Sequence, residues 1–106
     1  MNVVGYVRLS RDEDKENISS INSQIDIINE YAGTRNWVVS KMYIDDNFTG
    51  YNFNRPGFSE MLDLIEKDKI NVVITKDLSR IGRNNGKVLV LIDKLIELKI
   101  RFRFIF

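Results

Sequence analysis

The hydrophobic residues of the chain recur with two different periods. Short apolar runs rich in β-branched residues are typical of strands that a parallel sheet buries on both faces. Three such runs are NVVGYVRL at 2–9, WVVSKMYI at 37–44 and NVVITK at 71–76. A fourth run, IRFRFIF at 100–106, alternates phenylalanine with mostly charged residues, which predicts a strand with one less buried face.

Apolar residues spaced three and four apart predict one helix in each interval between the strands. In the first interval this face consists of Ile21, Ile25, Ile28 and Ala32. Ser19 or Ser20 is available as the N-cap, so we expect the helix to begin near residue 20 and to end near Gly33. The other two predicted helices are FSEMLDLIEK at 58–67 and KVLVLIDKLIELK at 87–99.

The order of these elements predicts the fold class. Strands that alternate with helices along the chain are typical of an α/β domain in three layers, with a mainly parallel sheet, right-handed crossovers and helices on both faces. The common doubly wound form of such a sheet has the strand order 2-1-3-4. Three polar segments with turn residues are predicted loops: RDEDKENIS at 11–19, DDNFTGYNFNRPG at 45–57 and DLSRIGRNNG at 77–86.

The composition limits what this fold can do. A hydrophobic content of 43% is ordinary for one globular domain of 106 residues. The sequence has no apolar run of membrane-spanning length and no signal-peptide pattern, so we expect a cytoplasmic protein without membrane contact. It has no cysteine and no histidine, which excludes disulfides, thiolate zinc sites and the usual base for a catalytic serine. The net charge of +1 is low for a protein that binds nucleic acid by itself.

Charged and polar residues follow the apolar strands at one edge of the predicted sheet. Strands 1 and 3 diverge at their carboxyl ends in this topology, and a crevice opens between their loops. The side chains expected at this crevice are Arg8, Ser10, Asp46, Arg55, Arg80 and Arg83. Several guanidinium groups around one hydroxyl favour a phosphate group, which arginine binds through a planar fork of donors. The serine could attack that phosphate without a metal or a cofactor, because the arginines stabilise the charge that develops.

Each of these residues also has a simpler interpretation. A serine after a strand is usually a turn or cap residue, and an arginine there is usually one half of a surface ion pair. Two other classes of protein also remain open. A magnesium-dependent nuclease or phosphatase-like domain could use Asp45, Asp46 and Asp77, although the excess of arginine disfavours a bound cation. A receiver-like signalling module could use Asp77 as its phosphoacceptor, but the first strand ends in Arg8 and Ser10 rather than in an acidic pair.

Four blocks of the sequence resemble the catalytic domain of the serine recombinases, the resolvase/invertase family. In chain order they are YVRLS at 6–10, SINSQ at 20–24, YIDDNFTGYNFNRPGF at 43–58 and VVITKDLSRIGRN at 72–84. The likeness is greatest to the large branch, which includes phage integrases and transposon recombinases, and it extends over residues 3–106. Ser79 departs from the small resolvases, which carry an aspartate there, and Asn47 and Thr49 replace a glycine and a serine of the family pattern.

The resemblance implies site-specific DNA recombination, for integration, excision or transposition, with no metal and no cofactor. Ser10 would attack a DNA phosphodiester and leave a 5′-phosphoserine link. The other positions that match the family's site are Arg8, Arg80 and Arg83 as phosphate-binding arginines, Arg55, Gln24 near the scissile phosphate, and the acid Asp46.

The resemblance also implies partners and further domains. We expect residues 1–106 to be a catalytic domain that is truncated at its C-terminus, without the long helix and the DNA-binding domains that would hold double-stranded DNA. Family members act as homodimers that pair into a tetramer. The wide apolar stripe of the last helix supplies either partner contacts or core packing. It consists of Val88, Leu89, Leu91, Ile92, Leu95 and Ile96.

Overall fold

The structure, a computed structural model, describes residues 1–9, 20–46, 55–82, 85–98 and 100–105. In chain order the elements are β1 (Val3–Leu9), α1 (Ile21–Thr34), β2 (Val39–Asp46), α2 (Pro56–Glu66), β3 (Val72–Thr75), α3 (Leu78–Ile81), α4 (Asn85–Glu97) and β4 (Arg101–Phe104). Every strand pairing in this described part is parallel, and the strand order is β2-β1-β3-β4. The predicted α/β class and strand order are therefore confirmed.

The central strand β1 separates two hydrophobic clusters. Its side chains alternate between the faces of the sheet, so Val4 and Tyr6 join the cluster with α2 and α4, while Val3 and Val7 join the cluster with α1. A Cβ at Gly5 would overlap the sulfur of Met42 in β2 and would lie 3.0 Å from a methyl group of Ile28 in α1. The glycine thus lets α1 pack closely on the sheet, and the two clusters make the domain three layers deep.

The first helix agrees with its prediction within one residue at each end. Ser20 is the N-cap, and its hydroxyl accepts a hydrogen bond of 3.2 Å from the backbone N–H of Ser23. The helix continues to Thr34, one residue beyond Gly33, and the chain turns at Asn36, which has a left-handed φ of 57°. Gly33 is therefore an ordinary helical residue, because an asparagine tolerates the left-handed conformation that ends the helix.

One predicted loop contains a helix. Residues 78–81, within the expected loop 77–86, form the single turn α3. A helix of four residues is too short to produce a recognisable apolar period, so the sequence pattern could not reveal it. The predicted loop 11–19 lies outside the described residues, as do residues 47–54 of the loop 45–57.

The apolar stripe of α4 is divided between the core and the surface. Val88 and Leu95 are buried, and Leu91 and Ile92 pack against the cluster that contains them. The two remaining residues of the predicted stripe, Leu89 and Ile96, are each 56% exposed. Across the described ranges, none of the helices has the length and apolar character needed to span a lipid bilayer.

Candidate active site

The carboxyl end of β1 carries a fully buried arginine. The Arg8 side chain has no exposed surface, and its guanidinium reaches across to α3. Its Nε donates to the backbone carbonyl of Arg80 at 3.2 Å, and its Nη2 donates to the carbonyl of Ser79 at 2.7 Å. These hydrogen bonds join the end of β1 to the short helix that follows β3, so Arg8 and Arg80, which were predicted to lie at one edge, do lie together.

The backbone of Arg8 is held as firmly as its side chain. Its carbonyl oxygen accepts a hydrogen bond of 3.0 Å from Nε2 of Gln24 in α1 and one of 2.8 Å from Nη1 of Arg80. The donors come from helices on opposite faces of the sheet. They fix the chain two residues before Ser10, where β1 ends.

Arg55 is the third buried arginine of the site, after Arg8 and Arg80. This residue precedes α2, is 1% exposed, and donates from Nη1 to the hydroxyl of Tyr6 at 2.9 Å and to the carbonyl of Arg80 at 2.8 Å. Its Nη2 donates to the carbonyl of Ile81. The guanidinium also lies 4.5 Å from the ring centre of Phe58. Burial lowers the pKa of Arg55, although Tyr6 and Asp45 act in the opposite direction.

A buried carboxylate completes this network from the neighbouring strand. Asp45, at 2% exposure, accepts hydrogen bonds of 2.8 Å from Tyr6, 2.8 Å from the N–H of Gly57 and 2.9 Å from the N–H of Phe58. It therefore satisfies the start of α2, where Arg55 is the N-cap without a side-chain cap of its own. Burial raises the pKa of Tyr6 well above its ordinary value against the opposing charge of Arg55. The Tyr6 hydroxyl is thus neutral and donates to Asp45.

The structure brings four of the predicted site residues together: Arg8, Gln24, Arg55 and Arg80. Ser10 and Arg83 lie outside the described residues, so their roles stay predictions. Asp46 is exposed, and its role also stays a prediction. It follows Asp45 on β2, so the two carboxylates point to opposite faces of the sheet.

Two participants in the network were not among the predicted site residues, Tyr6 and Asp45. The signal for Tyr6 was its position two residues before Arg8, because alternate residues of a strand share a face. No comparable signal separates Asp45 from Asp46, since β2 lies at an edge of the sheet and either carboxylate could face the site.

The arrangement of the acids does not favour the magnesium-dependent alternative. Asp45 accepts three hydrogen bonds from α2 and Tyr6, and Asp77 accepts one from the hydroxyl of Ser79. Within the described ranges, no three carboxylates or other metal-ligand side chains are grouped closely enough to bind one ion. Arginine donors and backbone carbonyls dominate the edge instead.

Comparison with known proteins places this chain in a family. The sequence model of the family "Resolvase, N terminal domain" matches residues 3–106. The chain belongs to this resolvase family. It is 32% identical over 100 residues to a Bacillus subtilis (strain 168) protein named "Putative DNA recombinase", covering 94% of this chain and 19% of that protein. It is also 30% identical over 93 residues to a resolvase of Clostridium perfringens, covering 88% of this chain and 43% of that protein.

Solved structures show the same fold. The N-terminal catalytic domain of TP901-1 integrase is 31% identical, with a TM-score of 0.89 over 99% of this chain and 78% of that one. The C-terminal catalytic domain of ISC1926 TnpA, an IS607-like serine recombinase, has a TM-score of 0.84 at 22% identity, which shows the fold alone. It covers all of this chain and 68% of that one. This resolvase-family chain therefore spans about a fifth of the Bacillus subtilis relative and less than half of the clostridial one.

Proposed function

We propose that the protein is a site-specific DNA recombinase that uses Ser10 as its nucleophile. In this reaction the Ser10 oxygen bonds to a DNA phosphorus, and the bond from that phosphorus to the 3′ oxygen breaks. The Ser10 hydroxyl loses its proton, the 3′ oxygen gains one and leaves as a hydroxyl, and the 5′ end stays attached as a phosphoserine ester. The ester keeps the free energy of the broken bond, so a 3′ hydroxyl from another strand can reverse the step without a nucleotide or a metal.

The observation that carries this proposal is the convergence of buried cations where β1 ends. The buried charged side chains of the described chain are four cations, Arg8, Arg55, Lys76 and Arg80, and one carboxylate, Asp45. Burying charged groups is costly, and a hydrophobic core forms without them. The convergence of three guanidinium groups on this edge supports an anion as the ligand, and a phosphodiester fits the planar donors of arginine.

The contacts and the resemblance to the serine recombinases together suggest a division of roles within the site. Arg55 contacts Tyr6, Phe58 and the carbonyls of α3, so we propose that it holds α3 in place beside β1. Arg8 is buried as deeply as Arg55, and we assign the phosphate to Arg8, Arg80 and Arg83 because these positions match the family's phosphate-binding arginines. Gln24 would fix the approach of the chain to Ser10, because it donates to the carbonyl of Arg8. Asp46 is proposed as an accessory acid at the exposed end of β2.

The test is covalent capture of DNA by the natural full-length protein. End-labelled duplex that carries its recombination site is incubated with the protein in EDTA and run on a denaturing gel. We expect a protein–DNA band that is lost in Ser10→Ala and kept in Ser59→Ala, a matched change at an exposed serine of α2. Cleavage that requires magnesium and is indifferent to Ser10→Ala would overturn the proposal.

We further propose that the protein acts in the cytoplasm as a homodimer that pairs into a tetramer on double-stranded DNA. Support comes from the outer face of α4, where Leu89, Val90 and Ile96 are 56%, 71% and 56% exposed. A groove of about 400 Å³ beside them is lined by Gly86, Lys87, Val90, Leu91 and Lys94. Large exposed apolar patches mark surfaces that bind other proteins.

Sedimentation of the natural full-length protein tests this assembly. We expect Val90→Asp to shift the protein from dimer to monomer, because a charge would enter an apolar interface. Val38→Asp is the matched control, since Val38 is 85% exposed at the start of the segment that leads into β2. A dimer that persists in Val90→Asp, or one that Val38→Asp disrupts equally, contradicts the assignment of this face.

A further inference from the structure

A second group of polar side chains surrounds the carboxylate of Asp77, directly before α3. Asp77 is the N-cap of α3, yet its side chain makes no capping hydrogen bond in the described part of the chain. Its Oδ1 instead accepts a hydrogen bond from the hydroxyl of Ser79 and lies 3.5 Å from Nε of Arg80. Its Oδ2 lies 3.8 Å from Nζ of Lys76. The carboxylate therefore faces side chains rather than the backbone donors that an N-cap residue usually binds.

These contacts hold Arg80 from two sides. Its Nη1 donates to the carbonyl of Arg8 at 2.8 Å, while its Nε faces Asp77. Because a guanidinium group is planar and rigid, a hydrogen bond at Nη1 and an ion pair at Nε together restrict the plane in which its nitrogens lie. The Arg80 side chain is 6% exposed, so the surrounding atoms leave it little freedom to reorient.

We propose that Asp77 and Ser79 are positioning residues, which orient the guanidinium of Arg80 toward the phosphate attacked by Ser10. The hydroxyl of Ser79 aligns the carboxylate of Asp77, and the carboxylate aligns Nε of Arg80. This inference rests on the proposed recombinase function. It adds Asp77 and Ser79 to the residues proposed to support the reaction. Neither touches the reacting atoms, and both act through Arg80.

A purely electrostatic role for Asp77 would have the opposite effect on the reaction. Burial raises the pKa of Asp77, but the hydrogen bond from Ser79 and the charges of Arg80 and Lys76 outweigh burial and hold the pKa below its ordinary value. Asp77 is thus ionised at neutral pH, and its charge opposes a phosphate. If charge alone mattered, removing it would tighten DNA binding and would not slow cleavage. Positioning predicts slower cleavage with binding unchanged or tighter.

The experiment measures cleavage and binding separately in the natural full-length protein. Single-turnover formation of the covalent adduct gives the rate of cleavage, and a filter-binding or anisotropy titration gives the Kd for site DNA. We expect Asp77→Asn to slow cleavage roughly tenfold to a hundredfold, the scale of a small misplacement of a catalytic group, with no weakening of binding. Ser79→Ala should slow cleavage in the same direction, and Ser79→Thr, which keeps the hydroxyl, should restore it.

The control substitution is Asp63→Asn, at an exposed aspartate on α2 that pairs with Lys67. It removes the same charge from the protein, and we expect the cleavage rate of the wild type. Circular dichroism melts of all variants verify that each one is folded. A cleavage rate for Asp77→Asn equal to that of Asp63→Asn, or a Ser79→Thr variant as slow as Ser79→Ala, would overturn the positioning role.

A second measurement does not depend on recombination. In the 106-residue chain, an NMR titration of the Asp77 carboxyl carbon should show a pKa that rises in Ser79→Ala and in Arg80→Gln, since each removes a group that stabilises the carboxylate. An Asp77 pKa that neither change moves contradicts the arrangement itself. If the pKa moves but the wild-type protein forms no adduct in EDTA, the recombinase proposal fails and the positioning role fails with it.

Discussion

Replacing Tyr6 with phenylalanine removes one oxygen atom from the centre of the buried network. The Tyr6 hydroxyl donates to Asp45 at 2.8 Å and accepts from Arg55 at 2.9 Å, and both partners are charged. The ring remains, together with its edge-on contact to Phe58 at 5.3 Å between ring centres. The substitution therefore tests the hydrogen bonds without creating a large cavity.

The expected loss follows from what each partner keeps. Hydrogen bonds to charged groups contribute about 1.5–3 kcal/mol each. Asp45 keeps the N–H donors of Gly57 and Phe58, and Arg55 keeps the carbonyl of Arg80, so neither charge is left wholly uncompensated. We expect the free energy of unfolding to fall by roughly 2–4 kcal/mol, with a decrease in Tm on the order of 10 °C.

Urea unfolding followed by the fluorescence of Trp37 measures this loss, because Trp37 is the one tryptophan of the chain and packs against the α1 cluster. Tyr43→Phe is the matched control. Tyr43 is 3% exposed, and among the described residues its hydroxyl has no hydrogen-bond partner. We expect this control to lose less than about 1 kcal/mol. Equal stability of the two variants would refute the reasoning that the network contributes through the Tyr6 hydroxyl.

Three further predictions concern other contacts. Gly57→Ala should cost about 1–3 kcal/mol in urea unfolding, because a Cβ would lie 3.0 Å and 3.1 Å from the carboxylate oxygens of Asp45; an unchanged midpoint would show that α2 can move away. The folded state holds the pKa of Asp77 below its ordinary value, so the unfolded state binds the proton first and stability falls as the pH drops below that value. The stability difference between wild type and Asp77→Asn should therefore shrink on acidification, and a constant difference would contradict the ion pairing. Lys67→Ala should change stability by less than about 0.5 kcal/mol, because its pair with Asp63 is solvent-exposed; a larger loss would argue against screening by water.

The period of the hydrophobic residues determined the class of fold. The hydrophobic residues of a run such as VVGYVRL are all buried only if both faces of the strand are covered. Helices with one apolar face cover them. Short connections and right-handed crossovers then leave few topologies, so the strand order was predictable. The same reasoning placed Arg8 and Arg80 at one edge, because Arg8 lies at the carboxyl end of β1 and Arg80 follows the parallel strand β3.

What each arginine binds was decided only by the tertiary structure. Arg8 and Arg80 are separated by 72 residues, and each donates to a carbonyl of the other, which no local pattern encodes. The choice of Asp45 over Asp46 for the network likewise depends on which face of β2 meets the start of α2. The spacing of hydrophobic residues predicts which residues are buried, because the residues on one face of a helix or strand recur at a fixed interval. Hydrogen-bond partners depend on positions fixed to within tenths of an ångström, and those exist only once the helices have packed on the sheet.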